Sequence, residues 1–90
     1  MPSASSGVRT TFVTSSSIRV KLLEHLTKEP MTPTELALLE NKHVSHVSRA
    51  LAELREQGLI EYIPNQSREK RYKATIQGLT IYASLLMTAK

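Results

Sequence analysis

Residues 41–54 of this 90-residue chain read N-K-H-V-S-H-V-S-R-A-L-A-E-L, and they predict a helix with two unlike faces. At ~100° per residue, the apolar side chains fall on one arc that we expect to face a core: Val44, Val47, Ala50, Leu51 and Leu54. The opposite arc is small, polar and basic. No acidic residue occurs from Asn41 through Ala52, although Glu40 and Glu53 flank this stretch. Such a face is suited to lie beside a phosphate backbone.

Capping and turn residues before this helix predict two earlier helices, so it is the third helix of the chain. Thr32-Pro33-Thr34-Glu35 is a capping box with proline at the first helical position, and it predicts the start of a second helix. Asn41 tolerates the left-handed conformation and predicts the turn between the two helices. Gly58 predicts the end of the third. A first helix is predicted from about Ser16 to Lys28. We expect the buried residues of the first two helices to be Ile18, Leu22, Leu23, Leu26, Leu36, Ala37 and Leu39.

After Gly58 the pattern changes from helix to strand. Residues 59–63 (L-I-E-Y-I) and 70–74 (K-R-Y-K-A) predict two strands, joined by the turn residues 64–67 (P-N-Q-S). A fourth helix is predicted from Ile76 to about Ala89, with Thr75 as its cap.

The predicted order is helix, helix, helix, hairpin, helix. Because the second and third helices are joined by a short turn, this order predicts an α+β fold, a winged helix-turn-helix with a three-helix core, a β-hairpin wing and a C-terminal helix. We expect residues 1–14 to form a flexible N-terminal arm and residues 15–90 to form the domain.

Composition narrows the classes of function. The chain has 12 Lys and Arg against 8 acidic residues, a net charge of +4 and a pI of about 9.7, a moderate excess that favours nucleic acid. It has no cysteine, no catalytic triad spacing and no glycine-rich phosphate loop, so we expect neither an enzyme nor a cofactor. No apolar run approaches the roughly 18 residues of a membrane span, and no signal core is present. We therefore expect a cytoplasmic protein without a membrane partner.

Several segments together resemble the winged helix-turn-helix regulators of the broad MarR/ArsR-like group, and its archaeal members in particular. Glu35-Leu36-Ala37 is similar to the "E-L-A" that opens their second helix, and residues 42–54 resemble their recognition helix, written around S-x-V-S-R-x-L-x-x-L. Gln57-Gly58-Leu59-Ile60 resembles the x-G-L-V/I that leads into the wing. Residues 72–78 (Y-K-A-T-I-Q-G) resemble the Y-x-L-T-x-x-G before the last helix.

The resemblance implies a sequence-specific transcriptional regulator of double-stranded DNA. The recognition helix, residues 44–57, would enter the major groove, and the wing, residues 64–73, would contact the backbone or the minor groove. The DNA-binding residues predicted on this basis are Lys42, His43, Ser45, His46, Ser48 and Arg49 near the helix N-terminus and Arg68, Lys70, Arg71 and Lys73 in the wing. The alternative is that both surfaces are solvated, in a winged-helix protein-interaction module without specific DNA binding.

His43 and His46 are three residues apart, a spacing that occurs in metal sites. Two histidines do not make a site, the chain has neither Cys nor Asp, and only His25 remains elsewhere. We therefore expect no metal, and we interpret His46 as a hydrogen-bonding residue.

The fourth helix carries two apolar stripes. The broader stripe is expected to face the core: Ile76, Leu79, Tyr82, Ala83, Leu86 and Met87. Ile81 and Leu85 lie on the other side, and we interpret them as a homodimer interface with the same helix of a second copy. A twofold dimer would present two recognition helices about one DNA turn apart. The alternative is that both are scattered exposed apolar residues, which are normal on protein surfaces.

Overall fold

The computed structural model of the chain describes Val13, residues 16–63 and residues 70–88. These residues form four helices and one antiparallel hairpin in the predicted order: α1 (Ser17–Lys28), α2 (Pro33–Glu40), α3 (Val44–Glu56), β1 (Ile60–Ile63), β2 (Arg71–Ala74) and α4 (Ile76–Thr88). The predicted α+β fold is confirmed.

The capping residues read from the sequence are found at the element ends. The Thr32 hydroxyl accepts a hydrogen bond from the Glu35 amide at 3.1 Å, and the Glu35 carboxylate accepts one from the Thr32 amide at 2.9 Å. Asn41 ends α2 at φ 55° and ψ 48°, in the left-handed region, and Gly58 follows α3 at φ 75°. The Thr75 hydroxyl accepts from the Gly78 amide at 3.1 Å and so caps α4.

The hairpin pairs β1 with β2 in a register that sets Tyr62 opposite Tyr72. Met31 adds one residue of a third strand, since its amide and carbonyl both bond to the backbone of Tyr72, at 3.1 and 2.9 Å. Along β2, Arg71 and Lys73 are exposed whereas Tyr72 and Ala74 are half-buried, as the alternation predicts. The predicted turn at residues 64–67 lies outside the described residues.

The core lies where α1, α3 and the start of β1 meet. The predicted buried residues of α1 are all buried, and so are Val47, Ala50, Leu51 and Leu54 of α3. Each fully buried leucine contributes about 1.5–3 kcal/mol relative to an exposed one. The same core holds one face of α3 in place and leaves its opposite face in solvent.

In α2 and α3, two predicted core residues are exposed instead. Leu39 is 56% exposed, because the inner face of the short helix α2 consists of Leu36 and Ala37. Val44 is 45% exposed, because it is the first residue of α3. Both predictions were therefore wrong, and the reason is the same: an apolar stripe is buried only over the length that a neighbouring element covers.

The two apolar faces of α4 are assigned the wrong way round by the sequence. Ile81 is buried at 7% exposure, and Leu85 and Tyr82 pack half-buried against the core. Tyr82 was expected to face the core and does so, whereas the other five residues of the broader stripe are exposed: Ile76, Leu79, Ala83, Leu86 and Met87. Gly78 explains the orientation, since a Cβ there would lie 2.1 Å from the Leu59 carbonyl oxygen. The side of α4 that carries Gly78 must therefore be the side that touches the core.

The N-terminal residues are described only at Val13, which is fully buried in the core. The other residues of the predicted arm, 1–12 and 14, lie outside the described residues, and the division into arm and domain stays a prediction. The side chain of His25, a residue of α1, faces α2, and its Nε2 is 2.6 Å from Glu40 Oε2. Among the described helices, none is long and apolar enough to cross a membrane.

Candidate nucleic-acid interface

The outward face of α3 carries the residues that the sequence singles out. Its N-cap, His43, makes no side-chain capping hydrogen bond, and no acidic residue lies in its first turn. The first amide groups of α3 therefore face solvent with the positive end of the helix dipole. All six predicted residues at this end are exposed: Lys42, His43, Ser45, His46, Ser48 and Arg49.

Four of these side chains line one open concavity. His43, Ser45, His46 and Arg49 surround a space of about 370 Å³ on the solvent side of α3. The Arg49 guanidinium has only donors, and the serine hydroxyl and each imidazole can donate as well as accept. The concavity therefore suits acceptor atoms such as phosphate oxygens or guanine O6 and N7. The part of the chain that the structure describes contains no group of three or more His, Cys, Asp or Glu residues that could hold a metal ion.

An ion pair between α1 and α3 supports this face from behind. Arg19 donates to Glu53 Oε1 from Nε at 3.0 Å and from Nη2 at 2.8 Å. Glu53 is the first acidic residue after the acid-free stretch. Its charge is therefore neutralised within the protein rather than presented to solvent beside Arg49.

The predicted wing cations have different surroundings. Arg71 donates from Nη1 to Glu35 Oε1 at 3.0 Å, and Lys73 lies 3.7 Å from Glu61 Oε2. Lys70 lies with its Nζ 4.4 Å from the centre of the Tyr62 ring. Arg68 is outside the described residues. The structure therefore brings Arg71 and Lys73 against carboxylates of the same chain, which the sequence analysis did not foresee.

Glu35 links the start of α2 to the wing, and we expect this link to be sensitive to acid. The pKa of Glu35 is lowered from its usual 4.5, first by the hydrogen bond from the Thr32 backbone and then by the charge of Arg71. A carboxyl group whose pKa is lower in the folded state stabilises the fold above its unfolded pKa. That stabilisation is lost as the pH falls through the folded pKa.

We therefore predict that Glu35→Gln flattens the pH dependence of stability below about pH 4.5. Glutamine keeps the neutral hydrogen bond of a capping box but has no charge to pair with Arg71. Urea unfolding of the wild type and of Glu35→Gln at pH 7 and at pH 3 measures the effect. The difference in unfolding free energy between the two proteins should be larger at pH 7. An equal difference at the two pH values would contradict the prediction.

A cluster at the base of the wing was missed from the sequence. Arg55 donates from Nη1 to the Tyr62 hydroxyl at 2.6 Å, and its guanidinium carbon is 4.2 Å from the centre of the Tyr62 ring. The Tyr72 ring lies 4.8 Å away at 42°. The signal in the sequence was available: Tyr62 and Tyr72 sit on one face of adjacent strands, and Arg55 is the only basic residue in the last turn of α3.

The two tyrosines of this cluster differ in acidity. The pKa of Tyr62 is lowered, first by a hydrogen bond from the Tyr72 hydroxyl and then by the positive charges of Arg55 and Lys70. Burial, and then the interaction with Tyr62, raise the pKa of Tyr72 to about 12. Tyr72 thus acts as the inner donor, and the hydroxyl of Tyr62 is the outer, more acidic one.

Comparison with known proteins identifies the family and the fold. The model of the HVO_A0261 N-terminal domain matches residues 8–88. None of the curated proteins matches the chain.

Several solved structures with the same fold are MarR-type regulators. A MarR family transcription regulator, SP03579, is 25% identical with a TM-score of 0.79, and the match covers 96% of this chain and 59% of the SP03579 chain. Wild-type ZitR from Lactococcus lactis, in complex with DNA, is 21% identical with a TM-score of 0.71 over 82% of this chain and 52% of its own. MepR, a regulator of a Staphylococcus aureus multidrug efflux pump, is 19% identical with a TM-score of 0.74, over 80% and 56%. The chain thus spans about half the length of these proteins and has the winged-helix fold of MarR-type regulators, as its resemblance implied.

Proposed function

This chain belongs to the HVO_A0261 N-terminal domain family, and we propose that it is a sequence-specific regulator of transcription that binds double-stranded DNA. The observation that carries the proposal is the exposed, acid-free first half of α3, on a winged-helix fold. The fold is shared with ZitR, a structure of which contains DNA, and this likeness supports the choice of ligand.

In the proposed complex, the N-terminal half of α3 enters the major groove. Arg49 offers a planar fork of donors that matches guanine O6 and N7. Ser45 and His46 lie beside it, near enough to share base edges or phosphates. Lys42 and His43 flank the exposed amide groups at the helix N-terminus, where a backbone phosphate is favoured. The later turns, which hold Glu53 and Glu56, leave the groove.

The wing is proposed to hold the DNA backbone or enter the minor groove through Arg68 and Lys70. Arg71 and Lys73 face the same solvent side of β2, but each is already paired with a carboxylate. An exposed pair of this kind contributes about 0–1 kcal/mol, and this contribution is lost when the cation turns from its carboxylate to DNA. We therefore expect Arg71 and Lys73 to add less to DNA affinity than Lys70.

We further propose a homodimer through α4, now placed on its exposed face rather than at Ile81 and Leu85. Five apolar side chains form this face, and two of them are very exposed, Ile76 at 82% and Met87 at 79%. A twofold arrangement of α4 against α4 would bury both copies of the face. It would also place two recognition helices for a palindromic site.

This proposal predicts that Leu86→Lys weakens the dimer. Burying an unpaired ammonium at an interface is costly, so we expect the dimer dissociation constant to rise by about tenfold or more. Gln77→Lys, an equal charge change on the polar side of α4, is the matched control. Sedimentation equilibrium of the three proteins measures the effect. If the wild type is monomeric at every concentration, or if both substitutions act alike, the interface is not on this face.

Binding of a random-sequence duplex pool, measured against salt concentration, tests the function itself. We expect enrichment of a palindromic sequence and an affinity that falls steeply with salt, since each neutralised phosphate contributes about 0.9 to the log–log slope. Absence of binding, or a flat salt response, would instead favour a protein-interaction module, with the wing charges facing an acidic partner.

A further inference from the structure

Three side chains at the base of the wing form a compact donor group, of which only Lys70 is among the predicted DNA contacts. Arg55 and Lys70 both lie over the ring of Tyr62, at 4.2 and 4.4 Å from its centre. We call Arg55, Tyr62 and Lys70 the wing-base cluster. It joins the last turn of α3 to the start of β2, and Arg55 and Lys70 are both exposed.

Among the described residues, neither cation of the wing-base cluster is paired with a carboxylate. Elsewhere on α1 and β2, Arg19, Arg71 and Lys73 are each paired with an acidic side chain. Within residues 16–63 and 70–88, no acidic side chain makes an ion pair with Arg55 or Lys70. The ring of Tyr62 offsets part of their repulsion, because its face is electron-rich. A bound anion would offset the rest.

The free hydrogen-bonding groups of the cluster are donors. Arg55 uses one guanidinium hydrogen for the Tyr62 hydroxyl, at 2.6 Å, and keeps others for a ligand. Because the Tyr62 oxygen accepts that bond, its own hydrogen is left to donate outward. Lys70 contributes three more hydrogens. Donors from a guanidinium, an ammonium and a polarised phenol are suited to an anion with several oxygens, such as a phosphate group.

We propose that the wing-base cluster binds one phosphate group of the DNA backbone, at the junction between the recognition helix and the wing. This inference rests on the proposed DNA-binding function and adds a contact to it. The two grooves of a duplex are separated by a phosphate backbone. A protein with α3 in one groove and its wing at the next must face that backbone between them, and the wing-base cluster lies between α3 and the wing.

The cluster is a phosphate contact rather than a base contact because of its place on α3. Arg55 lies in the last turn, after Glu53, whereas the residues for base edges lie in the first half. A phosphate contact fixes orientation and carries no sequence information. Loss of the cluster therefore weakens all DNA sequences equally and leaves the preference among them unchanged.

The test compares Arg55→Gln and Tyr62→Phe with the wild type, using the selected palindrome and a scrambled duplex at several salt concentrations. For Arg55→Gln we expect about tenfold weaker binding of both duplexes and a salt slope smaller by about 0.9. Tyr62→Phe keeps the ring under both cations and removes only the hydroxyl. It should weaken both duplexes by a few-fold without changing the slope.

Lys21→Gln is the matched control, because Lys21 is an exposed cation on α1 with the same charge change. Its slope should stay within error of the wild type. Thermal unfolding of all variants separates binding from folding, and a binding loss that tracks the loss of folded protein would overturn the proposal. So would an unchanged slope for Arg55→Gln, a slope reduced equally by Lys21→Gln, or a loss confined to the palindrome. In each of these outcomes the wild type still binds DNA, whereas a wild type that binds neither duplex contradicts the proposed function itself.

Discussion

Gly78→Ala is expected to destabilise the protein by about 3 kcal/mol, although alanine at an ordinary helix position stabilises by about 1 kcal/mol relative to glycine. A Cβ at residue 78 would lie 2.1 Å from the carbonyl oxygen of Leu59 and 3.3 Å from a methyl group of Leu23. The Leu59 carbonyl cannot move freely, because it accepts the Thr75 amide at 3.0 Å. Alanine therefore has to push α4 away from the core.

Gly58→Ala is the informative comparison, because it adds the same methyl group but is expected to destabilise through the backbone conformation rather than through a clash. Gly58 has φ 75°, which an L-residue adopts at a cost of about 1–2 kcal/mol. The nearest atom to its new Cβ, at 3.0 Å, is the end of the flexible Gln77 side chain, which can turn aside. We therefore expect Gly58→Ala to cost less than Gly78→Ala.

Thermal and urea unfolding of the two variants measure this order. For a domain of this size, about 3 kcal/mol corresponds to a melting temperature lower by roughly 12–24 °C. A variant with Gly78→Ala that is as stable as the wild type would mean that α4 does not approach Leu59 this closely. If Gly78→Ala fails to fold in water, unfolding both variants by urea in the presence of a stabilising osmolyte still ranks the two sites.

The ends of the helices and the turns between elements could be predicted from the sequence, because the interactions that set them are local. The capping box at Thr32 and Glu35, the left-handed Asn41 and the glycine after α3 each act within a few residues of their own position. The alternation of β2 is local as well, since successive side chains of a strand point to opposite faces. These features predicted four helices, a hairpin and their order.

The orientation of α4 was not readable from its stripes, because its two apolar faces are similar and only tertiary packing decides between them. The width of a stripe favoured the wrong face. Gly78 was the better signal: a glycine within a helix marks the side where another backbone comes close. The burial of Ile81 on the side of Gly78 agrees with this reading.

The candidate interface also has a part that the sequence predicted and a part that it did not. Exposure of the six residues at the start of α3 followed from periodicity. The ion pair of Arg71 with Glu35 did not, because these residues are 36 positions apart and only the fold brings them together. The ion pair of Lys73 with Glu61 depends on the register of the hairpin, which sets these two residues opposite each other. The wing-base cluster likewise joins residues from α3, β1 and the residue before β2. Charge in the sequence therefore overstated how many wing cations are free to meet DNA.

Arg49→Ala is expected to weaken binding of the selected palindrome by roughly 1–3 kcal/mol, a factor of about 5 to 150, if Arg49 reads a guanine. The variant should fold normally, because Arg49 is exposed in the middle of α3 and alanine is the best helix former. Arg49 also lines the same concavity as His43, Ser45 and His46, so its loss removes the longest donor of that surface.

Arg49→Lys distinguishes base reading from simple charge. Lysine keeps the positive charge but lacks the planar fork, so a base contact should lose most of its sequence preference while the salt slope stays the same. Arg49→Ala should lower both. Gel-shift titrations of the palindrome, and of duplexes in which one G·C pair at a time is exchanged, locate the base that Arg49 reads. Exchange of that pair should weaken binding of the wild-type protein but not of Arg49→Ala. Equal affinity and equal preference for wild type and Arg49→Ala would remove Arg49 from the base-reading surface, leaving Ser45 and His46 as the residues to test in the same assay.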